Sequence, residues 1–190
     1  MSRADATKAR ILQAATDEFA ARGIAGARVD RIAKAAAANK NLIYVYFCSK
    51  DQLFDAVFDT HVTHGLNAVP FTPEDLPGYA GRLFDYCRLH PEVIRLATWH
   101  RLERGHGHSH DRDPAGAAPA RDAKLEALAS AQKEDGIGAD FSPAALLTLV
   151  LSLALAWNPG NATAMPASTT GAESTDDRRR AIVQAVRRLL

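Results

Sequence analysis

Apolar side chains recur at helical spacing along most of the chain, and turn-forming residues separate the segments. In the first segment Ile11, Ala15 and Phe19 follow one another every four residues, which predicts an amphipathic helix. Gly23 is expected to end this helix. The later segments show the same kind of pattern, so the sequence predicts an all-α protein of about nine helices.

Two short helices with a tight turn between them are predicted within Val29–Lys50. Ile43 and Phe47 lie four residues apart and give the second helix an apolar edge. Asn39 is a suitable N-cap, so this helix is expected to run from about Lys40 to Phe47. Because two turns are too few for a stable isolated helix, neighbouring helices must hold it. A short helix presented in this way suits insertion into the major groove of DNA.

Capping residues mark the starts of the later helices. Ser49, with Gln52 three residues on, is expected to begin a fourth helix that continues towards Leu66. Thr72 before Pro73 is a second strong start. Further helices are predicted from Pro91 to Arg104, from about Pro119 to Asp135, from Ser142 and from Ser174, with loops at 105–118 and 158–174.

The run IAKAAAANKNLIYVYFCSKDQLF resembles the helix-turn-helix motif of the tetracycline-repressor-like (TetR) family. The matching positions are Ile32, Ala33, Tyr44, Tyr46, Phe47, Ser49, Lys50, Asp51 and Leu53. The resemblance extends over about Lys8 to Phe58. It implies a three-helix DNA-binding domain at residues 1–48 and a helical bundle for effector binding and dimerisation at residues 49–190.

Three residues depart from the family pattern. Ala37 stands where the family usually has glycine, and an alanine is expected to support the turn only outside the left-handed backbone region. Arg28 and Leu42 replace threonine or serine. Leu42 cannot donate a hydrogen bond to a phosphate, so it is expected to pack or to contact a thymine methyl group.

The resemblance also implies which residues contact DNA. Lys40, Asn41, Leu42 and Val45 would face the bases, Tyr44, Tyr46 and Lys50 would lie near phosphates or base edges, and Arg28 and Arg31 would approach the backbone. Two such domains in a two-fold dimer would bind a palindromic operator.

The remaining helices are expected to serve an effector and the dimer. The resemblance implies a pocket for an unknown small molecule, lined by Phe58, His61, Val62, Phe84, Cys87, Trp99 and His100. It also implies a dimer interface made by the last two helices, with Leu146, Leu149, Val150, Leu153, Trp157, Ile182, Val186 and Leu189. Without the resemblance, these apolar helices suit a core and a dimer interface equally.

Charge is distributed unevenly along the 190 residues, although the net charge is only +1. The first fifty residues hold nine basic and four acidic groups, whereas the other 140 hold 14 and 18. A basic first domain on a mildly acidic remainder is typical of a protein that touches phosphates with one end. A charged, solvated helix face is the alternative explanation.

Two other functions are open on the sequence alone. His106, His108 and His110 alternate in a glycine-rich segment and could serve a metal sensor or carrier. A helical protein-interaction module without sequence-specific DNA binding is the other alternative. No phosphate-binding loop, nucleophile elbow or paired carboxylates are present, so neither an enzyme nor a cofactor is expected.

The sequence favours a cytoplasmic location. Cys48 and Cys87 are too few for a disulfide framework and suit reduced thiols. The most apolar run, Ala144 to Trp157, is shorter than the roughly 20 residues that span a bilayer. No signal peptide is recognised, and no membrane partner is expected.

Overall fold

The computed structural model describes residues 2–63, 65, 68–104, 117–158 and 174–190. Within these ranges the chain forms nine α-helices and no β-strand, as the sequence predicts. The helices are α1 (Arg3–Gly26), α2 (Val29–Ala35), α3 (Lys40–Phe47), α4 (Lys50–Phe58), α5 (Leu76–Leu89), α6 (Pro91–Arg104), α7 (Ala117–Asp135), α8 (Pro143–Ala154) and α9 (Thr175–Arg187).

The described residues divide into two compact units. The first takes in those of Met1–Gly65 and Glu92–Gly116, and therefore holds α1 to α4 with α6. The second takes in those of Leu66–Pro91 and Ala117–Leu190, and holds α5 with α7 to α9. The domain boundary after residue 48 stays a prediction.

Predictions made from short local patterns are confirmed most closely. α3 and α6 have the predicted bounds. A side-chain oxygen accepts a hydrogen bond from a first-turn N–H at each predicted cap: Asn39, Ser49, Ser142 and Ser174. Each of these bonds satisfies one of the N–H groups that a helix start leaves without an internal partner.

Two predicted helix bounds are wrong. α4 stops at Phe58 and a π-helical turn follows; the Thr60 hydroxyl there donates to the Ala56 carbonyl at 2.7 Å and competes with the backbone for that acceptor. The Thr72 side chain caps no helix, and Asp75 caps α5 instead. α7 begins at Ala117, two residues before the predicted start at about Pro119, and it ends at Asp135 as predicted. Residues 105–116 and 159–173 of the two predicted loops lie outside the described part of the chain.

Aromatic rings form the centre of the first unit. Phe19 on α1 and Phe54 on α4 are fully buried, and their rings meet edge to face with centroids 5.2 Å apart. This geometry is favoured for aromatic pairs. The surrounding buried residues come from α1 to α4: Ile11, Ala15, Ile32, Ile43, Phe47, Leu53 and Val57.

In the second unit α9 packs closely against α5. A Cβ atom added at Gly81 would lie 3.1 Å from Cγ2 of Val183, so glycine permits this approach. Arg179 of α9 and Asp85 of α5 form an ion pair at 2.7 Å beside it. The core of this unit includes Leu76, Tyr79, Leu83, Leu128, Leu146, Val150, Ile182 and Val186.

The described helices do not provide a membrane span, since none is both long enough and apolar enough. α8 lies in the most apolar run and has 12 residues. The two cysteines are free thiols. Cys87 is buried, which raises its pKa to about 11 and keeps it protonated, whereas Cys48 is exposed.

The turn between α2 and α3 places Ala37 in the left-handed region, with φ of 47°. The expectation of an ordinary φ at this alanine is therefore wrong. The Ala37 N–H donates to the Lys34 carbonyl at 3.2 Å, and the Ala38 N–H donates to the Ala33 carbonyl at 3.0 Å. These are the two hydrogen bonds of a Schellman motif. They offset the left-handed conformation, which costs a residue with a Cβ atom about 1–2 kcal/mol.

We expect Ala37→Gly to raise the free energy of unfolding by about 1 kcal/mol, because glycine accepts a positive φ without strain. Ala38→Gly is the matched control, since Ala38 has no positive φ. Its loss of stability should reach a few tenths of a kcal/mol, from the greater freedom of the unfolded chain. Urea midpoints at a constant m-value measure both changes. Destabilisation by both substitutions would show that the turn is not strained.

Candidate nucleic-acid interface

α3 buries one face and exposes the other. Ile43 and Phe47 are 1% and 5% exposed, whereas Val45 is 72% exposed. The remaining residues predicted to contact DNA from this helix are accessible: Lys40, Asn41, Leu42 and Tyr44 are exposed, and Tyr46 is half-buried. An apolar side chain such as Val45 can contact a thymine methyl group, and the Asn41 amide has the donor and acceptor that read adenine.

Lys40 at the start of α3 pairs with Asp30 in the first turn of α2. The Lys40 Nζ lies 2.7 Å from Oδ1 of Asp30, and the side chains are 46% and 73% exposed. Their hydrogen bond is the main reason that the pKa of Asp30 is lowered and that of Lys40 raised. A predicted base-facing cation is therefore compensated by a carboxylate on the same surface.

The Arg31 side chain forms hydrogen bonds within the first unit, although the sequence predicts that it approaches the DNA backbone. Its Nε donates to the Glu18 carboxylate at 2.7 Å, and its terminal nitrogen donates to the Gly26 carbonyl at 2.8 Å. Burial disfavours the charged form of Glu18, but hydrogen bonds from Arg31 and from the Arg28 N–H outweigh it and lower its pKa. The Arg28 side chain is exposed and remains accessible to a phosphate.

Lys50 is hydrogen-bonded to the last turn of α1 and to the residue that follows this helix. Its ammonium donates to the carbonyl groups of Ala25 and Ala27, each at 3.4 Å. The side chain is half-buried, so its outer part is accessible. Its predicted place near a phosphate would therefore combine with a structural role at the entrance to α2.

The last part of α1 is interrupted at Gly23, which has φ of 71° and ψ of −177°. The break falls at the predicted residue, although helical turns resume beyond it. The indole N–H of Trp99 donates to the Ala20 carbonyl at 3.3 Å, before the break. The two carboxylate oxygens of Glu103 accept from the two backbone N–H groups after it, at 2.9 and 2.7 Å. Two residues one turn apart on α6 thus satisfy groups that the break leaves without helical partners.

Arg104, the last residue of α6, forms ion pairs and a ring contact with α4. Its guanidinium pairs with Asp51 at 3.3 Å and also with Asp55, and it lies 4.9 Å from the centroid of the Phe54 ring. The Arg104 side chain is only 10% exposed, whereas the side chains of Asp51 and Asp55 are 70% and 52% exposed, so the guanidinium is covered but the carboxylates meet water. The end of α6 is therefore attached to both α1 and α4.

The residues predicted to line an effector pocket belong to both units. In the first, the His100 ring lies 4.5 Å from that of Phe58, and Trp99 and His61 are half-buried. The side chain of Val62 lies outside the described atoms. In the second, Phe84 and Cys87 are buried. The pocket stays a prediction.

A groove with a volume of about 670 Å³ opens on the second unit. Residues of α7 and the start of α8 form its walls: Pro119, Asp122, Ala123, Leu125, Glu126, Ala129, Ser142, Pro143 and Ala144. None of the predicted effector residues lies among them. Asp122 and Glu126 give it acidic character.

The residues predicted to form the dimer interface separate into two groups. Within the single chain, the first group is almost completely buried and belongs to the core of the second unit: Leu146, Val150, Ile182 and Val186. The second group keeps accessible surface: Leu149 is 37% exposed, and Leu153, Trp157 and Leu189 are half-buried. Only this second group has surface left to contact a partner.

No group of three or more metal-binding side chains occurs within the described ranges. His106, His108 and His110, named in the metal-sensor alternative, fall outside those ranges. The metal-binding alternative therefore has no structural support from the residues described.

Two family models match the chain. A model of the tetracyclin repressor-like C-terminal domain matches residues 75–188. A model of bacterial regulatory proteins of the tetR family matches residues 11–57. Together they include α2, α3 and most of the second unit.

Individual proteins agree with these matches. The chain is 50% identical over 101 residues to the HTH-type transcriptional repressor SCO4008 of Streptomyces coelicolor, and the matched region covers 53% of this chain and 53% of SCO4008. It is 32% identical over 110 residues to the HTH-type transcriptional repressor NicS of Pseudomonas putida, 54% of this chain and 51% of NicS. The matched region thus spans about half the length of these two relatives.

A solved structure resembles nearly the whole chain. The putative transcriptional regulator SCO4942 of Streptomyces coelicolor has 38% sequence identity and a TM-score of 0.84, with 96% of this chain and 97% of that chain covered. Because family models match both the helix-turn-helix and the C-terminal helices, this chain belongs to the TetR family of bacterial regulatory proteins.

Proposed function

We propose that this protein represses transcription by binding a palindromic DNA operator as a homodimer in the cytoplasm. The observation that carries the proposal is the two-sided character of α3: Ile43 and Phe47 anchor it in the core, while Asn41 and Val45 extend into solvent. A short helix anchored in this way can enter a major groove without losing its own support. The names of SCO4008 and NicS favour repression over activation.

The proposed dimer uses the exposed side of α8. Leu149 and Ser152 are exposed on this helix, and Leu153 is half-buried. Burial of such a face against a second copy would remove apolar surface from water, the main favourable term in stable interfaces. In a two-fold dimer the two copies of α3 would enter successive major grooves, with half-sites about 34–36 Å apart or a multiple of it.

The protein is proposed to leave the operator when a small molecule binds to the helices that follow the DNA-binding domain. A ligand shifts the population only if it binds the non-operator form more tightly than the operator form. A preference of about 100-fold corresponds to about 2.7 kcal/mol, within the usual range of allosteric coupling.

Selection of binding sites from a random double-stranded DNA library tests the proposal. The purified protein should enrich one sequence with two-fold symmetry, and two protomers should occupy each enriched site. Enrichment of no sequence, with weak binding to all DNA alike, would favour a helical protein-interaction module instead.

A further inference from the structure

We propose that Asp30 is a specificity-determining residue, which keeps Lys40 neutralised on non-operator DNA and releases it only to a base edge of the operator. The inference rests on the proposed function, since it concerns how the α2–α3 surface discriminates between DNA sequences. It adds an acidic residue to a surface on which the sequence predicts basic, polar and apolar contacts.

The geometry places the Asp30 carboxylate beside Lys40, which the sequence predicts to face the bases. Asp30 lies two residues after Arg28, and its Oδ1 is 2.7 Å from Nζ of Lys40 at the start of α3. Both side chains are well exposed, so the pair contributes little to folding and meets the same solvent that DNA would replace. Arg28 is a further charge that acts on Asp30.

On non-operator DNA the pair presents no net charge to the phosphates. A lysine that neutralises one phosphate releases about 0.9 of a counterion, and this gain is the same for every sequence. While Lys40 stays with Asp30, that gain is withheld. Asp30 therefore lowers the affinity of the protein for DNA in general.

On the operator a base edge replaces the carboxylate. Lysine donates well to O6 and N7 of guanine, which lie in the major groove where the start of α3 would sit. Because exposed ion pairs are weak, Lys40 can leave Asp30 for such an acceptor at little cost, whereas its transfer to a phosphate would leave the Asp30 carboxylate unpaired beside the phosphates and bring no net gain in neutralised charge. Removal of Asp30 should consequently help non-operator DNA more than the operator, and the ratio of the two affinities should fall.

Asp30→Asn tests the proposal, since it removes the charge and keeps the shape of the side chain. Asp59→Asn is the matched control: Asp59 is also exposed in the first unit, but it follows α4 and lies outside the α2–α3 segment. Both variants change the net charge by the same amount. Circular dichroism and thermal unfolding verify that both are folded, and Asp30→Ser provides a second variant without the carboxylate.

The measurements are the dissociation constants for the selected operator and for a shuffled duplex across a salt series. In Asp30→Asn, binding to the shuffled duplex should tighten by about five- to tenfold per protomer at 0.1 M salt, and the salt slope of the dimer should steepen by about 1.8, which is about 0.9 for each of its two released lysines. Operator affinity should change less than threefold. Asp59→Asn should leave both affinities and the slope near their wild-type values. The double variant Asp30→Asn with Lys40→Met should lose the gain on shuffled DNA, because no released lysine remains.

The outcomes separate this inference from the proposed function. If the wild-type protein prefers no sequence, the proposed function itself fails. If the wild type prefers its operator but Asp30→Asn behaves like Asp59→Asn, Asp30 does not control specificity. A large loss of operator affinity in Asp30→Asn would also overturn the inference, since Asp30 would then contact a base directly.

Discussion

Gly23→Ala is expected to destabilise the first unit by at least about 3 kcal/mol. With φ of 71° and ψ of −177°, Gly23 lies in a backbone region that is essentially restricted to glycine, and a residue with a Cβ atom there costs about 1–3 kcal/mol. The added Cβ would also overlap the Glu103 carboxylate and lie 2.8 Å from Cε3 of Trp99. Both side chains would have to move and release the backbone groups at the break, and each buried group left unsatisfied costs about 1–3 kcal/mol.

Gly26→Ala is the matched control in the same helix. Gly26 has no positive φ, and a Cβ atom there would meet only Cβ of Arg22 at 3.5 Å. Its stability should stay within about 0.5 kcal/mol of the wild type. Chemical denaturation followed by circular dichroism measures both variants. Equal stability of the two would show that the break and its contacts with α6 contribute little.

Two arginine substitutions in the second unit should have large but different effects. Val186 is fully buried in the single chain, so Val186→Arg would bury an unpaired charge and unfold the unit, a loss of about 4 kcal/mol or more. Leu149 is 37% exposed, so Leu149→Arg should leave the protomer folded. In the proposed dimer, however, it would place a charge in the apolar contact and yield a folded monomer.

Leu89→Arg is the control for this pair, since Leu89 is 64% exposed on α5 and outside the predicted interface. Analytical ultracentrifugation at micromolar concentration should find Leu89→Arg dimeric and Leu149→Arg monomeric. Operator affinity should fall sharply for the monomer, because a single half-site contact lacks the second copy. If Leu149→Arg sediments as a dimer, the interface lies elsewhere.

Features that depend on nearby residues could be predicted from the sequence. Asn39 and Ser142 cap helices because their oxygens reach N–H groups two or three residues away, and α3 keeps the bounds implied by its apolar spacing. The motif around Tyr44 and Phe47 is likewise local, and the family models confirm the family that it indicates.

Features that depend on residues far apart in the chain could not be predicted from the sequence. The sequence predicts a helix end at Gly23, but the partners of the break, Trp99 and Glu103, lie more than seventy residues away and show no local pattern. Glu103 is even unexpected, since an acidic side chain is disfavoured near a helix C-terminus. It is accommodated there by two N–H donors of another helix.

The spacing of apolar residues also does not show whether an apolar side chain faces the core of its own chain or remains accessible to a partner. Val186 and Leu149 both belong to helices with apolar stripes, yet one faces the core of its own chain and the other keeps accessible surface. In the same way, Arg31 and Arg28 look alike in sequence. Glu18 and the Gly26 carbonyl accept hydrogen bonds from the Arg31 guanidinium, whereas the Arg28 side chain remains exposed, and neither partner is apparent from the local sequence.

The central claim, that α3 reads bases, is tested most directly by repeated site selection with Asn41→Ala. Its side chain is exposed and its backbone N–H, which bonds to Asn39, is retained. The selected sequence should match that of the wild type except at one pair of symmetry-related positions, where the preference for a base, expected to be adenine, relaxes by about 1–3 kcal/mol. An unchanged preference at every position would contradict the claim.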